Sequence, residues 1–264
     1  MSPVIFSAIF PHPPIIVPFI GGKELKKAEA TQKALQKSAK KIQSLNSLDA
    51  VIIITPHNEV GQAGFPVFCS HVFEGDFNNF NHPLPRFSFK GDFETASAII
   101  KAAEAKQINA YAAADNLLDH GALVPLYYLH SAGFKKPIVP IGICFQNLKN
   151  LYSFGQAIFQ AAAQKNKKIA VIASADMSHA LSPSSPSGFQ ARAKEFDEKL
   201  AALVKAHEVE AILNFDPQLA DLAHQDALWS IAIMLGAIAD TSLKPEVLSY
   251  EAPFGVGYMV AIYE

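Results

Sequence analysis

The chain has few of the features that mark secreted or nucleic-acid-binding proteins. Its 264 residues include only two cysteines, Cys69 and Cys144, which stand far apart in apolar stretches. We expect them to be reduced, buried thiols of a cytoplasmic protein rather than a disulfide. The 22 basic and 24 acidic residues give a net charge of -2 without a strongly basic cluster. This composition excludes the electrostatic footprint of a nucleic-acid-binding protein and favours a small organic partner.

Long membrane-compatible segments are also lacking. Ser2–Gly22 carries no charged residue, but its five prolines would remove helical hydrogen bonds. No basic segment precedes its apolar stretch, which argues against a signal peptide. A second uncharged run, Ala227–Ala239, has thirteen residues, too few to cross a bilayer. We therefore expect a protein without a membrane segment, located in the cytoplasm.

The hydrophobic content is high enough for one large core. Hydrophobic residues make up 50% of the 264 residues, which suits one α/β domain of ordinary size. The chain shows no repeat, no low-complexity tract and no linker that would divide it. Residues 1–264 are therefore expected to form a single domain.

Short apolar runs alternate with helical patterns along the chain. The runs predicted as buried strands are Val4–Phe10, Ala50–Thr55, Ile138–Cys144 and Ile169–Ser174. The predicted helices are Lys23–Leu48, Phe93–Lys106, Ala122–His130, Leu148–Gln164, Phe189–His207, Glu208–Asn214 and Gln225–Ile238. This alternation favours an α/β fold with helices on both faces of a central sheet. Two C-terminal strands, Glu246–Tyr250 and Gly257–Ile262, are predicted to pair antiparallel, so the sheet is expected to be mixed and mostly parallel.

Two stretches are irregular in sequence. Gly61–Gly91 is rich in Phe, Asn, Pro and Gly, and Leu181–Gly188 is rich in Ser and Pro. Long loops beside a site often form substrate walls or lids. A surface excursion with its own small aromatic cluster is the alternative, and the sequence leaves both interpretations open.

Histidines at the ends of predicted elements indicate a metal centre. His12 and His57 each follow a predicted strand, beside prolines that fix the direction of the backbone. Ligands of open α/β sheets collect outside the carboxyl ends of the strands, so both side chains are expected to reach one crevice. Glu251, at the end of another strand, supplies a carboxylate. Two imidazoles and one carboxylate leave three adjacent positions of a metal open, which is the arrangement of non-haem Fe(II) sites.

A lone histidine is more often an ordinary core or surface residue. This interpretation applies to the histidines outside the predicted crevice, namely His71, His82, His130, His207 and His224.

Five ordered motifs carry a family resemblance over nearly the whole chain. They are Pro-His-Pro-Pro at 11–14, Pro-His-Asn at 56–58, Leu-Asp-His-Gly at 118–121, Asp-Met-Ser-His-Ala-Leu at 176–181 and Tyr-Glu-Ala-Pro-Phe-Gly-Val-Gly-Tyr at 250–258. The chain resembles the class III extradiol ring-cleavage dioxygenases, the LigB-like superfamily. The opening His-Pro-Pro and the closing motif are most similar to the branch associated with the AmmeMemoRadiSam system and its Memo relatives.

The resemblance implies a reaction and a set of roles. It implies an O2-dependent ring cleavage of a catecholic or related small aromatic compound, with Fe(II) bound by His12, His57 and Glu251. His179 would act as the acid/base, a task suited to a group that titrates near neutrality. His120 would orient the substrate or oxygen. Zn or Cu could occupy a similar site, but Zn could not make the redox contribution of iron.

Other polar residues of the motifs are expected to support these groups. Asp176 and Ser178 are expected to cap a helix or to hold His179. Asp119 and His120 could mark only a helix start. Tyr250 is most simply core or pocket wall beside the substrate. In Memo-type relatives the acid and histidine of the fourth motif contribute to a metal site, so Asp176 or His179 could join the ligands.

Two other functions stay open at this stage. One is a Memo-like metal-binding or interaction protein without ring-cleavage activity, and the other is a metal-dependent hydrolase. The oligomeric state is open as well, because the Phe-rich loops could pack against a second copy. The resemblance also leaves open a small partner subunit over the active site, which some relatives need.

Overall fold

The computed structural model describes residues 2–264. The strands are β1 (Val4–Phe10), β2 (Ala50–Thr55), β3 (Phe65–Phe68), β4 (Val72–Phe77), β5 (His82–Lys90), β6 (Ala110–Ala113), β7 (Ile138–Gly142), β8 (Ile169–Ser174), β9 (Pro245–Glu251) and β10 (Tyr258–Tyr263). The helices are α1 (Pro18–Gly21), α2 (Glu29–Ser44), α3 (Phe93–Ala105), α4 (His120–Ser131), α5 (Leu148–Gln164), α6 (Ala193–Ala206), α7 (Val209–Leu213), α8 (Pro217–Ala223) and α9 (Ala227–Ala237). Short 3-10 segments lie at Pro14–Ile16, Gly22–Ala28 and Asn78–Phe80.

Eight strands form one mixed sheet in the order β6-β3-β7-β2-β8-β1-β10-β9. The central strands β7, β2, β8 and β1 are parallel to their neighbours within this group. The edge strands β10 and β9 add antiparallel pairs on one side, as predicted, and β3 lies antiparallel to β7 on the other. The predicted α/β fold with a mixed, mostly parallel sheet is therefore confirmed.

Helices cover both faces of the sheet because successive side chains of a strand point to opposite faces. In β2, Ile52 and Ile54 pack into the core shared with α3, α5 and α9. Their neighbours Val51 and Ile53 pack into the core shared with α2 and α4. A strand buried on both faces has no polar alternation, which explains why the central strands read as continuous apolar runs.

The stretch Gly61–Gly91, predicted as irregular, is mostly strand. β3 joins the main sheet, and β4 and β5 form a separate hairpin. The pattern was hard to detect because β3 has only four residues, with Pro66 inside it, and most of β5 is exposed. β6 and α8 were not predicted either, and α6 begins at Ala193 rather than at Phe189.

Two further expectations concern membranes and thiols. Within residues 2–264, every helix is too short or too polar to span a bilayer. Cys69 and Cys144 are both free, as expected. Cys144 is buried, whereas Cys69 is only half-buried, contrary to the expectation of two buried thiols.

Helices α5 and α9 touch through two glycines. A Cβ atom on Gly155 would lie 1.9 Å from the carbonyl oxygen of Ile233, and one on Gly236 would lie 1.9 Å from that of Tyr152. Only glycine allows backbones to approach this closely. The contact fixes α9 against α5. Asp226 directly precedes α9, so its position depends on this packing.

We expect Gly236→Ala to lower the free energy of unfolding by about 1–3 kcal/mol, because the new methyl group would force the two helices apart. Urea unfolding measures the effect as a lower midpoint at an unchanged slope. Gln160→Ala, on the exposed side of α5, is the control and should change stability by less than about 0.5 kcal/mol. Equal stability of both variants would contradict the proposed tight crossing.

Candidate metal centre

The candidate site lies at the carboxyl ends of three parallel strands, at one edge of the sheet. β2, β8 and β1 are neighbours and run in the same direction, so their carboxyl ends coincide. His12 follows β1, His57 follows β2 and Asp176 follows β8. His120 is the first residue of α4, and Asp226 directly precedes α9.

The structure brings three of the predicted histidines together. His12, His57 and His120 each offer a ring nitrogen, and these nitrogens lie within 4.8 Å of one another. His12 is buried, whereas His57 is exposed at the mouth of the site. The rings of His57 and His120 stack with their centroids 4.3 Å apart. This cluster could hold a metal ion.

A carboxylate that sequence reasoning missed completes a tighter group of donors. Nε2 of His12 lies 2.9 Å from Nε2 of His57. Oδ2 of Asp226 lies 3.3 Å from the first nitrogen and 3.2 Å from the second. Metal–ligand bonds of about 2.0–2.2 Å at right angles place neighbouring donor atoms about 3 Å apart. The three separations therefore fit donors on adjacent positions of one ion.

Asp226 Oδ2 gives an independent sign of a missing positive partner. The atom is buried, and apart from its approach to the two histidines it has no hydrogen-bond partner within the described residues. Buried carboxylate oxygens are normally paired or bound to a metal. The donor set and this free oxygen together fit a bound divalent cation.

The charges around His12 also favour a cation. Burial opposes protonation of His12, but the carboxylates of Asp176 and Asp226 raise its pKa to about 9. Burial would raise the pKa of Asp226, yet His12 and His57 hold that pKa below its usual range. Burial raises the pKa of Asp176 in spite of His12. Without a metal, the proton on His12 balances the buried carboxylates.

His120 has the opposite electrostatic character. Burial, reinforced by the neighbouring His12 and His57, lowers its pKa to about 3. Its ring is therefore neutral at physiological pH. A neutral imidazole can donate one hydrogen bond and accept another, which suits the predicted role in orienting a ligand.

Backbone hydrogen bonds hold the donors in place. The Asp176 carboxylate accepts the backbone N–H of His12 at 2.9 Å, and the Asp226 carboxylate accepts the backbone N–H of Asp176 at 2.8 Å. Asp119 is the N-cap of α4 and also accepts the hydroxyl of Thr55 at 2.8 Å. The helix-start interpretation of Asp119 thus holds, and the same side chain ties α4 to the end of β2.

His179 lies in a loop that a buried acid anchors. Asp197 accepts the backbone N–H of Ser178 at 2.8 Å and the hydroxyl of Tyr250 at 2.6 Å. Burial raises the pKa of Asp197 to about 6 despite these hydrogen bonds. Nδ1 of His179 is buried and has no hydrogen-bond partner in the described part of the chain. Asp197 thus anchors the backbone of Ser178, next to His179, and also binds Tyr250. The supporting role of Ser178 toward the His179 side chain stays a prediction.

Glu251, the carboxylate predicted from the sequence as a ligand, has a different partner here. Its Oε1 accepts the backbone N–H of Thr31 at 2.7 Å, in the first turn of α2. That N–H has no partner inside the helix, and a negative charge at a helix N-terminus is stabilising. β9, which ends at Glu251, is separated from β1 by β10 and so lies about 10 Å from it. The ligand role of Glu251 stays a prediction, while Asp226 is the carboxylate in contact with both histidines.

One feature of the sequence bears on Asp226, namely its position directly before helix α9. An acid directly before a helix normally caps it. Here the Gln225 side chain accepts the backbone N–H of Leu228 at 2.8 Å and caps α9 instead. Asp226 is thereby free to face the histidines.

A cavity of 560 Å³ is lined by chain neighbours of His57 and His120, but by none of the candidate ligands themselves. Its wall includes Asn58 and Asp119, which adjoin His57 and His120 in the chain. Much of the remaining wall comes from the β4–β5 hairpin, within the stretch for which the sequence left a substrate wall and a surface excursion open. Phe80, in the turn of that hairpin, contacts the His120 ring with centroids 5.3 Å apart. The cavity has the size of a small-molecule site.

Two isosteric variants distinguish the carboxylates. We expect Asp226→Asn to weaken Co(II) binding more than about 100-fold, a larger loss than removal of an outer-shell partner causes. Glu251→Gln should bind Co(II) like the wild type and lose about 0.3–1 kcal/mol of stability, because it removes a charge from the start of α2. Calorimetric titration of metal-free protein measures the affinities. The reverse pattern would make Glu251 the ligand.

Comparisons with known proteins agree with this architecture. Residues 7–261 match the family described as the catalytic LigB subunit of aromatic ring-opening dioxygenase. The chain is 32% identical over 261 residues to Protein CA_C1420 of Clostridium acetobutylicum, and the match covers 96% of this chain and 56% of that protein. The chain thus spans little more than half the length of this relative.

Two Escherichia coli proteins are also similar. The chain is 24% identical over 205 residues to 3,4-dihydroxyphenylacetate 2,3-dioxygenase, with 71% of this chain and 72% of that protein covered. The crystal structure of the uncharacterised protein JW3007 from strain K12 superposes with a TM-score of 0.67 at 16% identity and covers 98% of both chains. That similarity shows a shared fold.

Proposed function

The chain belongs to the family of catalytic LigB subunits of aromatic ring-opening dioxygenases, and we propose that it is a non-haem Fe(II) extradiol dioxygenase acting on a catecholic compound. The observation that carries the proposal is the mutual separation of 2.9–3.3 Å between the donor atoms of His12, His57 and Asp226. Two imidazoles and one carboxylate on one face of an ion are the donor set of non-haem Fe(II) oxygenases.

In this proposal His12, His57 and Asp226 hold the metal. Fe(II) held by these residues would supply redox chemistry and adjacent open positions for a catecholate and O2. Buried hydrogen bonds through Asp176 fix His12 and Asp226, and His57 is exposed to solvent. Zinc would satisfy the same donors but could not support the redox step.

His179 is proposed as the proton acceptor. Its Nδ1 is buried and unpartnered within residues 2–264. Burial and His12 have the largest effects on the pKa values of Asp176 and Asp226. His179 has a smaller effect and lowers the pKa of both acids. It can accept a hydroxyl proton from a catechol and later return it as general acid.

His120 is proposed to donate a hydrogen bond to the bound substrate or to O2. Its neutral ring stacks on His57 and faces Phe80 of the hairpin. An apolar wall next to a neutral donor strengthens the hydrogen bond, because water competes less.

The cavity lined by Asn58, Asp119 and the β4–β5 hairpin has room for a small aromatic substrate. Its volume of 560 Å³ lies within the usual range of small-molecule sites. One relative is named for 3,4-dihydroxyphenylacetate, itself a catechol, which supports a catecholic substrate for this chain as well.

Oxygen uptake tests the proposed reaction. Protein loaded with Fe(II) without air should consume O2 and a catechol in equal amounts, with 3,4-dihydroxyphenylacetate as the first compound tried. Zn(II)-loaded protein is the control and should consume neither. If fully iron-loaded protein consumes no catechol across a panel, the chain is a metal-binding protein without ring cleavage. Turnover that continues without O2 would indicate a hydrolase.

The role of His179 can be separated from metal binding. We expect His179→Gln to keep the iron content of the wild type and to lower kcat for ring opening about 10²–10⁴-fold, the usual contribution of general acid–base catalysis. His71→Gln changes an exposed histidine directly before the β4–β5 hairpin; it is the control and should retain full activity. Unchanged turnover in His179→Gln would remove this residue from the mechanism.

A further inference from the structure

Ser174 makes two contacts that link separate parts of the candidate site. It is the last residue of β8 and is fully buried. Its hydroxyl lies 2.8 Å from Nδ1 of His12 and also donates a hydrogen bond to the carbonyl oxygen of Gly121 in the first turn of α4. One hydroxyl thus joins a candidate ligand on the β1 loop to the helix that carries His120.

The direction of both hydrogen bonds follows from the chemistry of the groups. A carbonyl oxygen can only accept, so the single proton of the Ser174 hydroxyl goes to Gly121. The hydroxyl oxygen must then accept from His12, and Nδ1 of His12 must carry a proton. In the neutral ring this leaves the lone pair on Nε2.

The Nε2 atom is the one that faces the other donors. It lies 2.9 Å from Nε2 of His57 and 3.3 Å from Oδ2 of Asp226. A metal ligand requires a free lone pair, and the hydrogen bond at the second ring nitrogen decides which nitrogen has it. The opposite tautomer would present an N–H to the ion.

The position of the Gly121 carbonyl is itself fixed by close packing. A Cβ atom at Gly121 would lie 2.5 Å from Oγ1 of Thr55 and 2.7 Å from Oδ1 of Asp119. Because Thr55 and Asp119 are hydrogen-bonded to each other, they cannot easily move aside. The acceptor for the Ser174 proton is therefore held in place by the end of β2 and the cap of α4.

We propose that Ser174 is a positioning residue that sets the tautomer and orientation of His12 for metal binding. The inference rests on the metal centre of the proposed function but not on ring opening. It predicts a defect in metal affinity that is measurable without any substrate.

Ser7 offers a matched control. It is also a fully buried serine, it lies on β1, and its hydroxyl donates to the carbonyl oxygen of Val171 at 2.7 Å. Ser7→Ala and Ser174→Ala each remove one buried hydroxyl and its hydrogen bond to a carbonyl. Only Ser174 also contacts a candidate ligand.

The first experiment compares Co(II) affinities of metal-free wild type, Ser174→Ala and Ser7→Ala by competition with a metal indicator. Ser174→Ala should bind Co(II) about 10–100-fold more weakly than the wild type. This is the usual loss when a metal-ligating histidine loses the hydrogen-bond partner of its second ring nitrogen. Ser7→Ala should stay within about twofold of the wild type, since its hydroxyl is not part of the site. Wild-type affinity in Ser174→Ala, or an equal loss in both variants, would overturn the proposal.

The second experiment needs no variant and so does not depend on the folding of Ser174→Ala. In Zn(II)-loaded wild type, ¹H–¹⁵N correlation of the imidazole rings should show a slowly exchanging proton on Nδ1 of His12. The exposed His71 ring provides the fast-exchange reference. A His12 proton on Nε2, or exchange as fast as that of His71, would overturn the proposal even if the protein opens aromatic rings.

Discussion

Strand β8 lies between β2 and β1 and pairs in parallel with both. This pairing places three chain segments side by side at their carboxyl ends, about 5 Å apart. His12, Asp176 and His57 leave the sheet at that edge, and Ser174 is the strand end between them. The remaining groups arrive from α4 and α9, whose first turns pack over the same edge. A register shift of β8 would move Ser174 and Asp176 away from His12, to which both are hydrogen-bonded.

The arrangement would be unfavourable without a positive charge at its centre. Asp176 and Asp226 are both buried beside His12, and burial of two carboxylates is costly unless they are paired. A proton on His12 balances the charge in the metal-free state. A divalent cation bound to Nε2 would replace that proton and satisfy the free oxygen of Asp226 as well. Stability and metal binding are thus linked through the same few atoms.

The parts of the site that local sequence could predict are those next to strongly patterned elements. His12 and His57 each follow a buried strand, and the ends of parallel strands meet by the rules of α/β folds. The core strands themselves were predictable because burial on both faces leaves a continuous apolar run. The hairpin was not, because β4 lacks a regular alternation of buried and exposed residues and β5 contains two prolines and is mostly exposed.

The choice of carboxylate depended on tertiary structure. Glu251 and Asp226 both stand at the end or start of an element, and sequence cannot tell which of them reaches the histidines. In the fold, β10 lies between Glu251 and β1, and the Glu251 carboxylate caps α2. The packing of α9 against α5 and the sheet brings Asp226 to His12 and His57. Neither the place of Glu251 in the sheet nor the packing of α9 produces a periodic or local pattern in the sequence.

The most direct test of this account is a crystal structure of protein grown with Fe(II) in the absence of air, with anomalous scattering measured at the iron edge. The account predicts one strong peak about 2.0–2.2 Å from Nε2 of His12, Nε2 of His57 and Oδ2 of Asp226. A peak bound to Glu251 in place of Asp226, or no peak at these histidines at full iron loading, would contradict it.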